Sequence, residues 1–226
     1  MTPPPLVLLH GLGTGPSGWQ LQIDAFSPSR TVITPALRLD TGFDFGAEAK
    51  RVLGDVAPGS KIDLCGLSIG ALVALRAAVD EPQRIRRLAL SGGFASLPRP
   101  HALLQLALGN ATRLMPANVL RGQLVAGIPE VHREKARLET AELDGRAIRH
   151  LFREGRRFDV RAGLERLSMP VLVLVGADDW ANHRLSRKLA DQIPGARLEL
   201  IPGAGHVANL DAPDAFSEAL RSFLDS

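Results

Sequence analysis

The sequence predicts an α/β fold: a small, mostly parallel sheet of about six strands flanked by helices. Two observations carry that prediction and a third qualifies it. Short apolar runs bounded by Pro, Gly or charge recur along the chain, several without alternation, which is how strands buried on both faces read. Helix-spaced stretches lie between the runs, and this alternation marks a parallel sheet wrapped by helices. One central stretch, from about Ala95 to Leu167, breaks the alternation and reads as helix alone.

The strand candidates are "LVLL" (6–9), "TVIT" (31–34), "KIDLC" (61–65), "RLALS" (87–91), "VLVLV" (171–175) and "RLELI" (197–201). The helix candidates between and after them are "FGAEAKRVLGDV", "IGALVALRAAVDE", "RLSRKLADQI" and "PDAFSEALRSFL", mostly followed closely by Pro or Gly. Within the central stretch, "RPHALLQLALGNATRLM" and "REKARLETAELDGRAIRHLFREG" are helical in pattern. The expected organisation is a core of residues 1–94 and 168–226, interrupted by a helical cap over 95–167. Residues 132–166 hold ten Arg or Lys against seven Asp or Glu, an excess that a solvated helix face explains at least as well as an anionic ligand does.

Composition narrows the function classes. A chain of 226 residues, 45% hydrophobic and with a mean hydropathy of +0.05, can bury one large core. Its formal charge of +3 is thinly spread and lacks the dense basic run of a phosphate-backbone binder, so no nucleic-acid partner is expected. The single Cys65 has no second cysteine with which to form a bridge. "MTPPPLVLLHGLG" has no basic lead and an apolar run of only four residues, so a cytoplasmic protein without a membrane partner is expected.

The chemistry centres on "IDLCGLSIGALV". Ser68 lies between Gly66 and Gly70 where a strand ends and a helix begins, the context that makes G-x-S-x-G a nucleophile elbow. A turn that sharp strains the serine backbone, and side chains at 66 or 70 would meet the crossing chain. A serine hydroxyl needs an imidazole base, and the imidazole needs a carboxylate to fix its tautomer. His206 in "IPGAGHVANLDAP" follows the last strand, and Asp178 and Asp179 in "VLVLVGADDWANH" follow the fifth. All three fall at the carboxyl edge of the sheet, where sites form in open α/β folds. The Gly-rich turn "LLHGLGTGPSGWQ" after the first strand can aim the Leu12 N–H at the same point as the Ile69 N–H, forming an oxyanion hole. Neither phosphate-loop pattern is present there.

Taken in this order, "LLHGLG", "CGLSIG", "VGADD" and "GAGHVANLDAP" resemble the α/β-hydrolase-fold superfamily over nearly the whole chain apart from the cap. The nearest likeness is to small esterases and lactonases similar to 3-oxoadipate enol-lactonases. The resemblance implies that the acid is Asp179, the last residue of G-x-x-D counted from Gly176, with Asp178 in reserve. It also implies that His10, with Gly11 and Gly13, braces the oxyanion loop and transfers no proton. The chain departs from the family in beginning almost at the first of these strands and in lacking a D-x-R-G-x-G-x-S pattern within "TPALRLDTGFDFG".

The expected activity is hydrolysis of an ester, thioester or lactone of a small to medium acyl group through Ser68, Asp179 and His206. The same constellation also serves carbon–carbon bond hydrolysis, acyl transfer, a lyase step or cofactor-free perhydrolysis, and a small-molecule receptor on this fold is the reading from another class. No cofactor or metal is expected; His183, four residues after Asp179, has no further clustered ligands beside it. Trp19 and Trp180 are candidates for lining the pocket, and core packing explains each equally well. A monomer or a homodimer is expected, the latter through an exposed sheet edge.

Overall fold

The computed structural model describes residues 3–55, 59–98, 101 and 115–226. Among them, six strands form one sheet: β1 (Leu6–Leu9), β2 (Val32–Ile33), β3 (Ile62–Leu67), β4 (Ile85–Ser91), β5 (Val171–Gly176) and β6 (Arg197–Ile201). The spatial order is β2-β1-β3-β4-β5-β6, and every neighbouring pair is parallel.

Burial tracks position in the sheet. All residues of β1, β3 and β5 are buried, whereas the edge strands β2 and β6 are largely half-buried or exposed. Alternate residues serve opposite layers, as the pleat requires. Val7, Leu9, Leu64, Leu88, Leu90 and Val173 enter a core shared with α2 (Phe45–Asp55) and α3 (Ile69–Asp80). Leu6, Leu8, Cys65, Ala89, Leu172 and Leu174 enter the other, against α1 (Gln20–Phe26) and α9 (Pro213–Asp225).

Between β4 and β5 lie α4 (Ala117–Ala126), α5 (Glu130–Glu139) and α6 (Gly145–Arg157). Most of "RPHALLQLALGNATRLM" lies outside the described residues. The carboxyl half of the fold is completed by α7 (Trp180–Gln192) and α8 (Ala208–Asp211).

Several expectations shift. The "TVIT" strand keeps two residues, since Pro35 cannot donate to a ladder and follows almost at once. The edge is therefore β2, and β1 is an interior strand. Helix α1 escapes sequence reading because its seven residues are too few for a period to show. Helix α7 begins four residues before the "RLSRKLADQI" stretch, directly after Asp179.

Candidate active site

Ser68 is the only non-glycine residue with positive φ among the described residues, at φ 54 and ψ −117. The glycines around it are there for space. A Cβ on Gly66 would sit 2.6 Å from the Ala71 nitrogen, inside the first turn of α3. On Gly70 it would lie 2.6 Å from the His10 carbonyl oxygen, where the chain leaving β1 crosses the helix start. The elbow is locked to the next strand by the Ser68 N–H donating to the Ser91 carbonyl at 2.8 Å.

His206 follows β6, and its Nδ1 donates to Asp179 Oδ2 at 2.9 Å. That bond fixes the tautomer and leaves Nε2 as the basic nitrogen. Asp179 is 7% exposed, while Asp178 is exposed and engages the Ala204 carbonyl through its backbone N–H at 2.8 Å. Of the two aspartates, Asp179 is the one that meets His206. Burial, the largest influence on the Asp179 carboxyl, pushes its pKa up; hydrogen bonds from His206 and Asn182 outweigh it and hold the group below the usual carboxylate range. Although Asp179 caps α7, its side chain makes no capping bond, because it faces His206 instead.

Three residues that sequence reasoning missed support this pair. Asn182, one turn into α7, donates from Nδ2 to both Asp179 oxygens at 2.9 Å. Its spacing of three from the acid at a helix start is the signal that could have found it. Gly92, at φ 64 just past β4, leaves room for the imidazole: a Cβ there would lie 3.0 Å from His206 Cε1. Asp211 accepts the Gly205 N–H at 2.9 Å and so ties down the loop before His206; burial pushes its carboxyl above the ordinary range despite that bond. Gly176 has a related role, since a Cβ there would strike the Ala204 and Gly205 backbone of the same loop.

On the opposite side, the Leu37 N–H donates to His10 Nε2 at 3.0 Å, and His10 Nδ1 is left to donate to the Gly11 carbonyl at 3.0 Å. Burial lowers the His10 pKa, so the ring stays neutral and links the turn after β1 to the segment after β2. Gly13 adopts φ 93, and a Cβ there would lie 2.8 Å from the Leu124 carbonyl oxygen of α4. Gly11 packs beside the elbow, with its Cβ direction 3.5 Å from Ser68 Cβ.

Ser68, His206 and Asn182 open into one cavity of about 250 Å³, which Leu12 and Ile69 also line. Its remaining wall is apolar, with Phe45, Leu72 and Phe94 from the core and Leu151 and Phe152 from α6. A larger cavity of about 410 Å³ lies behind the His10 turn, but it is lined by neither the serine nor the imidazole, so the smaller one is the candidate site. Trp19 and Trp180 line neither cavity. Trp19 is fully buried against Phe216, with ring centroids 5.8 Å apart, and Trp180 is 81% exposed, so both leave the pocket. His183 points away from Asp179, its Nε2 bonding the Gly176 carbonyl at 2.9 Å. Among the described residues no group of three or more His, Cys, Asp or Glu could hold a metal ion. None of their helices is long and apolar enough to cross a membrane.

The profile of the Alpha/beta hydrolase family matches residues 6–219. The chain is 31% identical over 173 residues to a protein of Caulobacter sp. (strain K31) that bears a carbamate hydrolase name, RutD; the match spans 70% of this chain and 63% of that protein. It is 26% identical over 247 aligned positions to 3-oxoadipate enol-lactonase 2 of Acinetobacter baylyi, covering 98% of this chain and 88% of the lactonase. A solved hydrolase from Pseudomonas aeruginosa PA01 superposes with a TM-score of 0.85 at 26% identity, covering 99% of this chain and 91% of that one. The resemblance to esterases and lactonases is borne out: the chain is an enzyme and belongs to the alpha/beta hydrolase family.

Proposed function

We propose that this enzyme hydrolyses an ester, thioester or lactone through an acyl-enzyme on Ser68. The observation that carries the reading is the 2.9 Å His206–Asp179 pair, whose imidazole lines the same cavity as a serine held at φ 54. Ser68 Oγ attacks the carbonyl carbon as His206 Nε2 takes its proton, and Asp179 stabilises the imidazolium. The carbonyl π pair moves onto oxygen, which the Leu12 and Ile69 N–H groups receive; losing one such donor costs on the order of 10² to 10³ in rate. The bond to the leaving oxygen or sulfur then breaks and His206 returns the proton to it. Water, deprotonated by His206, releases the acid and restores the serine.

The roughly 250 Å³ cavity suits a small to medium acyl group. Residues 95–167 serve as a cap in this reading, since Leu151, Phe152 and Gly155 of α6 line the cavity that holds Ser68. A fluorophosphonate tests the mechanism: one adduct on Ser68 is expected, absent in Ser68→Ala and formed far more slowly in His206→Ala. Labelling that survives Ser68→Ala would overturn the assignment. Product analysis on esters and 1,3-diketones separates hydrolysis of carbon–oxygen bonds from that of carbon–carbon bonds.

A further inference from the structure

A third cavity, polar and of about 340 Å³, lies at the carboxyl end of α6 and is lined by Arg156, Arg157, Arg161 and Lys188. Asp159 is the only acid in that lining, and it is already engaged: Arg161 Nη2 donates to its Oδ2 at 2.6 Å and Arg161 Nε to its Oδ1 at 2.9 Å. Arg157 approaches Glu154 at 3.5 Å. Arg156 and Lys188 reach no carboxylate among the described residues. Arg157, Arg161 and Lys188 are exposed and Arg156 is half-buried. Here α6, the segment after it and α7 bring four cations around one concavity; Arg157 and Arg161 are already paired, which leaves Arg156 and Lys188 as the two cations free to attract an anion. Guanidinium forks beside an ammonium match the several oxygens and double charge of a phosphoryl group better than a lone carboxylate.

The cavity adjoins the reacting one. Gly155 lines the Ser68 cavity and Arg156 lines this one. Phe158 belongs to the cationic lining, and its ring packs 4.8 Å from Phe45 and 6.1 Å from Phe94, both walls of the Ser68 cavity. The segment is pinned by the Val160 N–H donating to the Ala95 carbonyl at 3.0 Å.

We propose that this cationic cavity binds a phosphoryl group. Either the substrate of the proposed Ser68 reaction carries that group, an arm that rests on the function proposed above, or a separate anion does. Isothermal titration of the whole protein with inorganic pyrophosphate is the direct test, run on the native chain and on Ser68→Ala so that failure of the serine mechanism leaves it intact. Saturable, salt-sensitive binding at one site is expected in both, weakened about tenfold or more in an Arg156→Gln, Lys188→Gln double variant of unchanged Tm. No saturable binding up to millimolar pyrophosphate, or binding that the double variant leaves intact, would overturn the proposal. Kinetics then assign the source. If the substrate carries the group, 1-acetylglycerol 3-phosphate is hydrolysed with a higher kcat/KM than 1-acetylglycerol, and the double variant removes the preference while sparing the neutral ester. If a separate anion does, pyrophosphate changes the rate on the neutral ester instead.

Discussion

Gly92→Ala separates backbone strain from misplacement of His206, the proposed base. Gly92 sits at φ 64, where an alanine costs about 1 to 2 kcal/mol of backbone strain, partly offset by a stiffer unfolded chain. Gly195, at φ 71 with no atom within 4 Å of where a Cβ would stand, carries the same backbone cost in open space. Both alanine variants should therefore lose comparable stability, with Tm falling by about 2 to 4 °C per kcal/mol for a chain of this size. Only at Gly92 does the new methyl meet the imidazole, 3.0 Å from His206 Cε1 and 3.4 Å from Nδ1. The ring must retreat by a few tenths of an ångström against its 2.9 Å bond to Asp179. Since a displacement of about 1 Å can cost on the order of 10² in rate, a loss of about tenfold in kcat/KM is expected for Gly92→Ala, with Gly195→Ala within about twofold of the native enzyme. Steady-state hydrolysis of p-nitrophenyl acetate beside thermal unfolding measures both quantities. Native kcat/KM in Gly92→Ala, or an equal loss in Gly195→Ala, would refute the reasoning.

Further outcomes follow from the same geometry. Asp179→Asn should lower kcat by about 10⁴-fold while Asp178→Asn leaves it within about twofold, because only the former orients the imidazole. The depressed Asp179 pKa gives this pair a pH signature: its stabilising contribution is present above the unfolded value near 4 and lost as pH falls through the lower folded value. The stability gap between native and Asp179→Asn should accordingly narrow in acid, and a gap that widens there would contradict the assignment. Ser68→Gly and Ser68→Ala should both abolish labelling, but the glycine variant should be the more stable by about 1 kcal/mol, because it relieves the strain at φ 54. Equal denaturation midpoints would mean that the elbow stores no strain.

What the sequence discloses here is what steric necessity writes into it. Ser68 between two glycines, the strand before it and the helix after it are readable because no other residues fit those chain crossings. The parallel sheet is readable because strands buried on both faces lose their polar alternation. Asn182, Gly92 and Asp211 are not readable in the same way. Gly92 acts on the His206 ring from the turn after β4 and Asp211 on the loop before that ring, while Asn182 is legible only once Asp179, three residues earlier, is known to start a helix. Trp19 and Trp180 mislead because proximity in sequence to the oxyanion turn and the acid says nothing about which side of the backbone a side chain leaves. For Trp19 that side is the core beneath α9, and for Trp180 it is solvent.

The contacts at Gly66, Gly70 and Gly176 are approaches of bare backbone to bare backbone, with no side chain as intermediary. A site held by side chains retains rotamers that must be ordered anew whenever a substrate arrives; these crossings have none to order. Their entropy is lost once, when the chain folds, so that in the proposed mechanism the serine, acid turn and histidine loop meet each new substrate already in register. Repeated turnover leaves that order unchanged. The same rigidity means that drift at any of these three positions would act on folding before it could adjust activity.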